Sequence, residues 1–192
     1  ISALVQSNVK RMLAFSSVSH AGYILLGILV YNWVGISAVL FYFVVYSIMN
    51  LGAFSIVARV ENDDTGITFK DYRGLSAKHP WLAISMSIFM VSLAGFPPTA
   101  GFIGKYGLLS AAVANDYIWL VVIAVLNTIL SAYYYLRLII NMYMKNEDGV
   151  VVSKFAILNQ VSVCLLALII LLLGISPGFL LEIADITATT VF

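Results

Sequence analysis

The sequence predicts an all-α fold: a polytopic transmembrane helix bundle of about five spans, with the third span broken at Pro97-Pro98. Three observations point there. Of 192 residues, 62% are apolar and 10% charged, with a mean hydropathy of +1.02, whereas a soluble domain carries about a quarter charged residues and polar faces on its surface helices. Several segments reach the ~20 mostly apolar residues that a hydrocarbon core of ~30 Å requires. Cations recur in alternate connections and are missing from the others, as the positive-inside rule requires.

The first span runs from about residue 12 to 31 and the second from about 34 to 58. The third, about 81 to 114, is too long for one straight helix, which would measure ~50 Å at 1.5 Å per residue. Pro97 and Pro98 lie in its middle, where proline removes a helix donor and clashes with the preceding turn. Two half-helices joined by an unwound link near Phe96 to Ala100 are therefore expected, with Gly101 and Gly104 just beyond the break. The fourth span covers about 117 to 144 and the fifth about 155 to 181.

Lys10 and Arg11 precede the first span. Arg59, Lys70, Arg73 and Lys78 follow the second, and Arg137, Lys145 and Lys154 flank the connection after the fourth. The intervening connections lack cations, and Glu182 and Asp185 follow the fifth span. This alternation puts the N-terminal end in the cytoplasm and the C-terminus outside. Residues 59 to 80 read as a cytoplasmic loop, in which "FKDYRGL" is expected to form a short helix on the bilayer surface. His79-Pro80 ends it, since a residue before proline avoids the α region. Ile1 in place of Met, with no signal-peptide pattern, predicts a single membrane domain over residues 1 to 192 that is part of a longer chain.

Composition also excludes function classes. A net charge of +1 lacks the basic footprint of nucleic-acid binding. The single cysteine, Cys164, permits neither an internal disulfide nor a multi-cysteine metal or Fe–S site. No phosphate loop, dinucleotide fingerprint or nucleophile triad occurs, so no catalytic residue and no metal ligand is assigned.

Ionisable groups at membrane depth are costly and read first as functional. Lys105 lies roughly nine residues, or ~13 Å of helix, from Asn115, near mid-bilayer, where snorkelling is difficult. An amine taken out of water can release its proton, and irregular backbone at this depth is tolerated only against protein or a wet cavity. The break therefore opens a polar gap that a titrating lysine can use. His20 lies near the middle of the first span, with Ser16 and Ser17 three or four positions earlier on roughly the same face. It fits either a proton relay or a hydrogen bond to a neighbouring helix without exchange. Tyr46 and Asn50 in the second span, and Asn127, Thr128, Ser131 and Tyr133 to Tyr135 in the fourth, fit interhelical hydrogen bonding. Ser16, Ser17, Tyr46, Asn50, Asn127 and Tyr134 are also candidates for a supporting polar relay.

Three stretches carry a family resemblance: "NVKRMLAFSSVSHAGYILLGI", "SLAGFPPTAGFIGKYGLLSAAV" and "LNTILSAYYYLRLIINMYM". In this order they resemble the antiporter-like membrane subunits of respiratory complex I, above all those of bacterial NADH–quinone oxidoreductase. The resemblance implies a second inverted five-helix repeat plus the last helix. It matches Lys105 to the lysine of the outward proton half-channel and His20 to a histidine of the central polar axis. It further implies a bacterial inner-membrane location beside neighbouring antiporter-like and small membrane subunits. This chain would hold no cofactor; NADH, flavin, Fe–S clusters and quinone would belong to partner subunits. The function expected is proton translocation in a redox-driven complex. The rivals are a subunit of a multi-subunit sodium/proton antiporter or membrane-bound hydrogenase, and a structural membrane scaffold.

Overall fold

The computed structural model describes residues 2–61, 68–144 and 157–190. They form eight helices: α1 (Val9–Leu29), α2 (Trp33–Val60), α3 (Leu75–Lys78), α4 (Pro80–Ala94), α5 (Ala100–Ala114), α6 (Ile118–Met144), α7 (Ile157–Ile175) and α8 (Gly178–Thr189). Residues 62–67 of the expected loop and the connection bearing Lys145 and Lys154 lie outside the described residues. Helices α1, α2 and α6 are each long and apolar enough to cross a bilayer. α2 occupies the centre and packs against α1, α4, α5, α7 and α8, while α6 lies across α1, α4 and α5. Many large apolar side chains of α6, among them Trp119, Ile123 and Ile129, point outward, as lipid-facing residues do.

Local chemistry sets the helix ends. The side chains of Asn8 and Asn32 accept from the backbone N–H groups of Arg11 and Gly35, each at 2.9 Å, satisfying orphan donors at the first turns of α1 and α2. Proline opens α4, where its missing N–H costs nothing. Gly95 closes α4 in the left-handed region at φ 86. Its N–H donates to Ser92 O at 3.0 Å and that of Phe96 to Val91 O at 3.1 Å, the paired bonds of a Schellman ending.

The third apolar segment is thus two half-helices of 15 residues each, ~22 Å apiece and individually too short to span. The Phe96–Thr99 link between them is tight. Gly101 N–H donates to Ser92 Oγ at 3.1 Å, and a Cβ on Gly101 would sit 2.0 Å from Ser92 O, so only glycine fits there.

Two expectations change. The fifth segment is not one rod to residue 181: α7 stops at Ile175 and α8 departs at 77°. Pro177 removes the donor that would continue the ladder, and Ser176 before it is pushed from helical geometry. α8 then lies on α2. This second break touches the first, since a Cβ on Gly174 would meet Pro98 O at 2.1 Å. The stretch "FKDYRGL" does not form a helix; α3 begins only after Gly74, whose φ of 67 lies in the left-handed region. Phe69 and Tyr72 are buried in the core rather than laid on a bilayer. Phe69 N–H donates to Ser7 O at 3.2 Å, and the Arg137 guanidinium lies 4.3 Å from the Phe69 ring centroid. Arg137 is thereby covered by folded loop. Burial raises the Tyr72 hydroxyl pKa above its ordinary value, helped by the nearby Glu61 and Asp71 carboxylates.

Candidate proton site at the helix break

Lys105 lies on α5 one turn past the link and is 4% exposed. Its side chain runs back across the break. Nζ donates to Leu93 O at 2.8 Å and Ala94 O at 3.2 Å, and lies 4.9 Å from the Tyr23 ring centroid. Those carbonyls belong to the last residues of α4, which have no continuing helix to bond them and form the negative end of its dipole. Among the described residues Lys105 makes no ion pair. The end of α4 and the face of Tyr23 supply the negative potential that a carboxylate would otherwise provide. Gly95 is required twice, for its positive φ and because a Cβ there would lie 2.9 Å from Lys105 Cδ.

His20 projects from α1 on the face that also buries Ser16 and Tyr23. Its Nδ1 is 2.6 Å from Tyr42 Oη on α2 and its Nε2 3.0 Å from Tyr135 Oη on α6. Its ring stacks on Tyr46, with centroids 4.6 Å apart and planes inclined by 21°. A neutral imidazole donates from one nitrogen and accepts at the other, and each phenol can do either. Reversing the direction of the chain therefore keeps both hydrogen bonds to the ring. Gly104 builds this arrangement from the far side: a Cβ there would be 2.6 Å from the Tyr42 ring, so its bare backbone lets Tyr42 rest on α5.

Tyr23 stands between the two groups. Its ring centroid is 6.1 Å from that of His20. Its hydroxyl bonds with Thr128 Oγ1 at 2.6 Å and accepts from Asn127 Nδ2 at 3.4 Å. A pocket of about 150 Å³ adjoins Lys105 between α5 and α6, walled by Gly95, Phe102, Tyr106, Leu109, Val125 and Thr128. Its walls are mainly apolar, with Lys105 and Thr128 as the polar residues at its edge.

The other residues singled out in the sequence take different places. Tyr46, Asn127 and Tyr134 join the cluster, Tyr134 with its ring 4.5 Å from that of Tyr135. Ser16 and Ser17 donate to Leu13 O at 2.7 Å and Ala14 O at 2.6 Å, and their hydroxyls also bond to those of Tyr135 and Tyr46, so both stand at the edge of the cluster. Asn50 makes no hydrogen bond among the described residues and stands apart. Pro97, Pro98 and Gly101 shape the link. Sequence reasoning missed Tyr42, although it lies one turn before Tyr46, and among Tyr133 to Tyr135 it singled out Tyr134 rather than Tyr135, the one bonded to His20. It also missed Asp185, placed beyond the last span but bonded here to the buried Ser37 hydroxyl of α2.

Residues 1–131 match the family model described as NADH:quinone oxidoreductase/Mrp antiporter, TM. The chain is 46% identical over 189 residues to NADH-quinone oxidoreductase subunit N of Trichlorobacter lovleyi, a match covering 95% of this chain and 38% of that protein. It is similar to a chain in the structure of respiratory complex I from Thermus thermophilus with bound aureothin, with TM-score 0.84, 32% identity, and coverage of 94% of this chain and 41% of that one. A chain of the Mrp complex from Dietzia shares the fold, with TM-score 0.86, 21% identity, and coverage of 98% and 44% respectively. The chain thus spans less than half the length of these relatives. A broken apolar helix, the family match over residues 1–131 and the similarity to subunit N agree: the chain is a membrane protein and belongs to the NADH:quinone oxidoreductase/Mrp antiporter transmembrane family.

Proposed function

We propose that this chain is a proton-translocating membrane subunit of a redox-driven NADH–quinone oxidoreductase and contributes the outward half-channel, with Lys105 as the proton carrier. One observation carries the reading: a buried amine that bridges a helix break and bonds to the carbonyls that the break exposes. The charged form is held by the end of the α4 dipole. The neutral amine keeps two N–H donors for the same two carbonyls, so a proton can leave without the side chain moving. His20 takes a proton at one ring nitrogen as it gives one up from the other, with Tyr135 and Tyr42 on either side. The path outward would run from Lys105 between α5 and α6, where the pocket adjoins it.

The redox chemistry and its NADH, flavin, Fe–S clusters and quinone would sit in partner subunits. The chain would lie in a bacterial inner membrane beside other antiporter-like and small membrane subunits. Its N-terminal end would be cytoplasmic, as the cations at one end of the bundle require. The test is Lys105→Ala in the complete complex, assayed for electron transfer and proton uptake in vesicles. Electron transfer should persist with proton movement lost; full pumping by this variant would remove the proposal.

A further inference from the structure

We propose that the groove between α2 and α7 is a binding site for one anionic glycerophospholipid, with its phosphate on Arg59, Asn159 and Ser162 and an acyl chain along Leu51, Val163 and Leu166. These six residues are among those lining an open cavity of about 360 Å³. Their order along the helices carries the inference. On α2, Arg59 lies in the last turn and Leu51 eight residues before it, ~12 Å deeper. On α7, which runs the opposite way, Asn159 and Ser162 come first and Val163 and Leu166 follow. The groove thus passes from a cation, an amide and a hydroxyl at one end, past Ser55, whose hydroxyl donates to Leu51 O of its own helix, to the aliphatic side chains of Leu51, Val163 and Leu166, over about the depth at which a lipid changes from headgroup to chain.

Arg59 is exposed and stands at the same end of the bundle as Lys10, Lys70, Arg73 and Lys78, where the positive-inside pattern meets an anionic leaflet. A guanidinium offers a planar fork that matches phosphate oxygens, and a basic recess between spanning helices is the kind of site that holds acidic headgroups. Leu51 is 62% exposed and offers its side chain to whatever fills the lower groove. A zwitterionic lipid would gain the apolar contact but brings no net charge to Arg59. Free phosphate would gain the cation but not the aliphatic wall.

The test uses the complete complex reconstituted in vesicles of mixed phosphatidylglycerol and phosphatidylcholine. A photoreactive phenylalanine analogue replaces Leu51, and in a control complex Leu168, which is 50% exposed on α7 and lies outside the groove. Cross-linked lipids are identified by mass spectrometry. Phosphatidylglycerol should be enriched several-fold at position 51 relative to position 168, Arg59→Gln should abolish the enrichment, Arg59→Lys should keep part of it, and excess inorganic phosphate should leave it unchanged. Equal labelling at the two positions, enrichment that survives Arg59→Gln, competition by inorganic phosphate, or cross-linking of position 51 to protein instead of lipid would each overturn the proposal.

Discussion

Two helix breaks meet in the interior of this protein, and they are built differently. At the first, α4 ends on a left-handed glycine, Gly95, and its carbonyls are taken up by the amine of Lys105. At the second, α7 and α8 join through Pro177 with ordinary right-handed backbone, φ −78 and ψ −10. There Ser176 N–H bonds to Leu172 O at 2.8 Å and Leu181 N–H to Pro177 O at 3.0 Å. The second junction turns the chain while its backbone bonds stay local, and no ionisable side chain enters it among the described residues. The lesson is that a proline in an apolar segment marks a bend. A polar site requires in addition that the freed carbonyls be left to a side chain able to change its charge.

This contrast can be broken or sharpened by experiment. The largest effect should come from Lys105→Arg, which keeps the charge but cannot deprotonate. Proton translocation in the assembled complex should fall ~100-fold or more, the scale of a positioned proton-transfer group, as read by fluorescence quenching in inverted vesicles. Pumping at the original rate would reduce the first break to another structural bend.

Next in size are the glycines that seat each break. A Cβ on Gly101 meets Ser92 O and one on Gly174 meets Pro98 O, and neither backbone neighbour can rotate away, so each alanine variant should lose ~1–3 kcal/mol. Thermal melting of the purified complex measures that loss. Only Gly101→Ala should also lower the number of protons moved per electron, because it displaces the helix that carries Lys105; equal proton yields would erase the distinction.

A smaller effect is expected from Tyr42→Phe and Tyr135→Phe. Each removes one hydrogen bond to His20, worth ~0.5–1.5 kcal/mol, and should slow pumping by up to ~10-fold with electron transfer intact. The smallest is Gly178→Ala, at the start of α8. Nothing lies within 4 Å of the added carbon, so the variant should match the parent or gain ~0.4–1 kcal/mol through a less flexible unfolded chain, without changing proton yield.

Much of the fold and part of the site were legible in the residues. Lys105 stood out as a cation deep in an apolar segment, and His20 as the ionisable group of the first. Pro97-Pro98 announced the first break because the segment was too long for one span. Pro177 gave no such warning, because residues 155 to 181 make a span of acceptable length and its proline lies near the end. Tyr42 and Tyr135 were hidden by abundance: with 11 tyrosines in the chain, only three-dimensional position separates those facing His20 from those facing lipid. "FKDYRGL" misled because its polarity suggested a surface, whereas Phe69 and Tyr72 close the end of the bundle.

The sequence alone determined the solvent, the helical class and the depth of the ionisable groups. Hydrocarbon tolerates only backbone that bonds within itself, and a charge within it must be accounted for by some partner. Only the tertiary structure decided which partners those are: the carbonyls of Leu93 and Ala94 for Lys105, and the phenols of Tyr42 and Tyr135 for His20. The reason is that a hydrogen bond across helices is fixed to tenths of an ångström by how the helices rotate and pack, and that information is shared among distant segments, 115 residues apart for His20 and Tyr135.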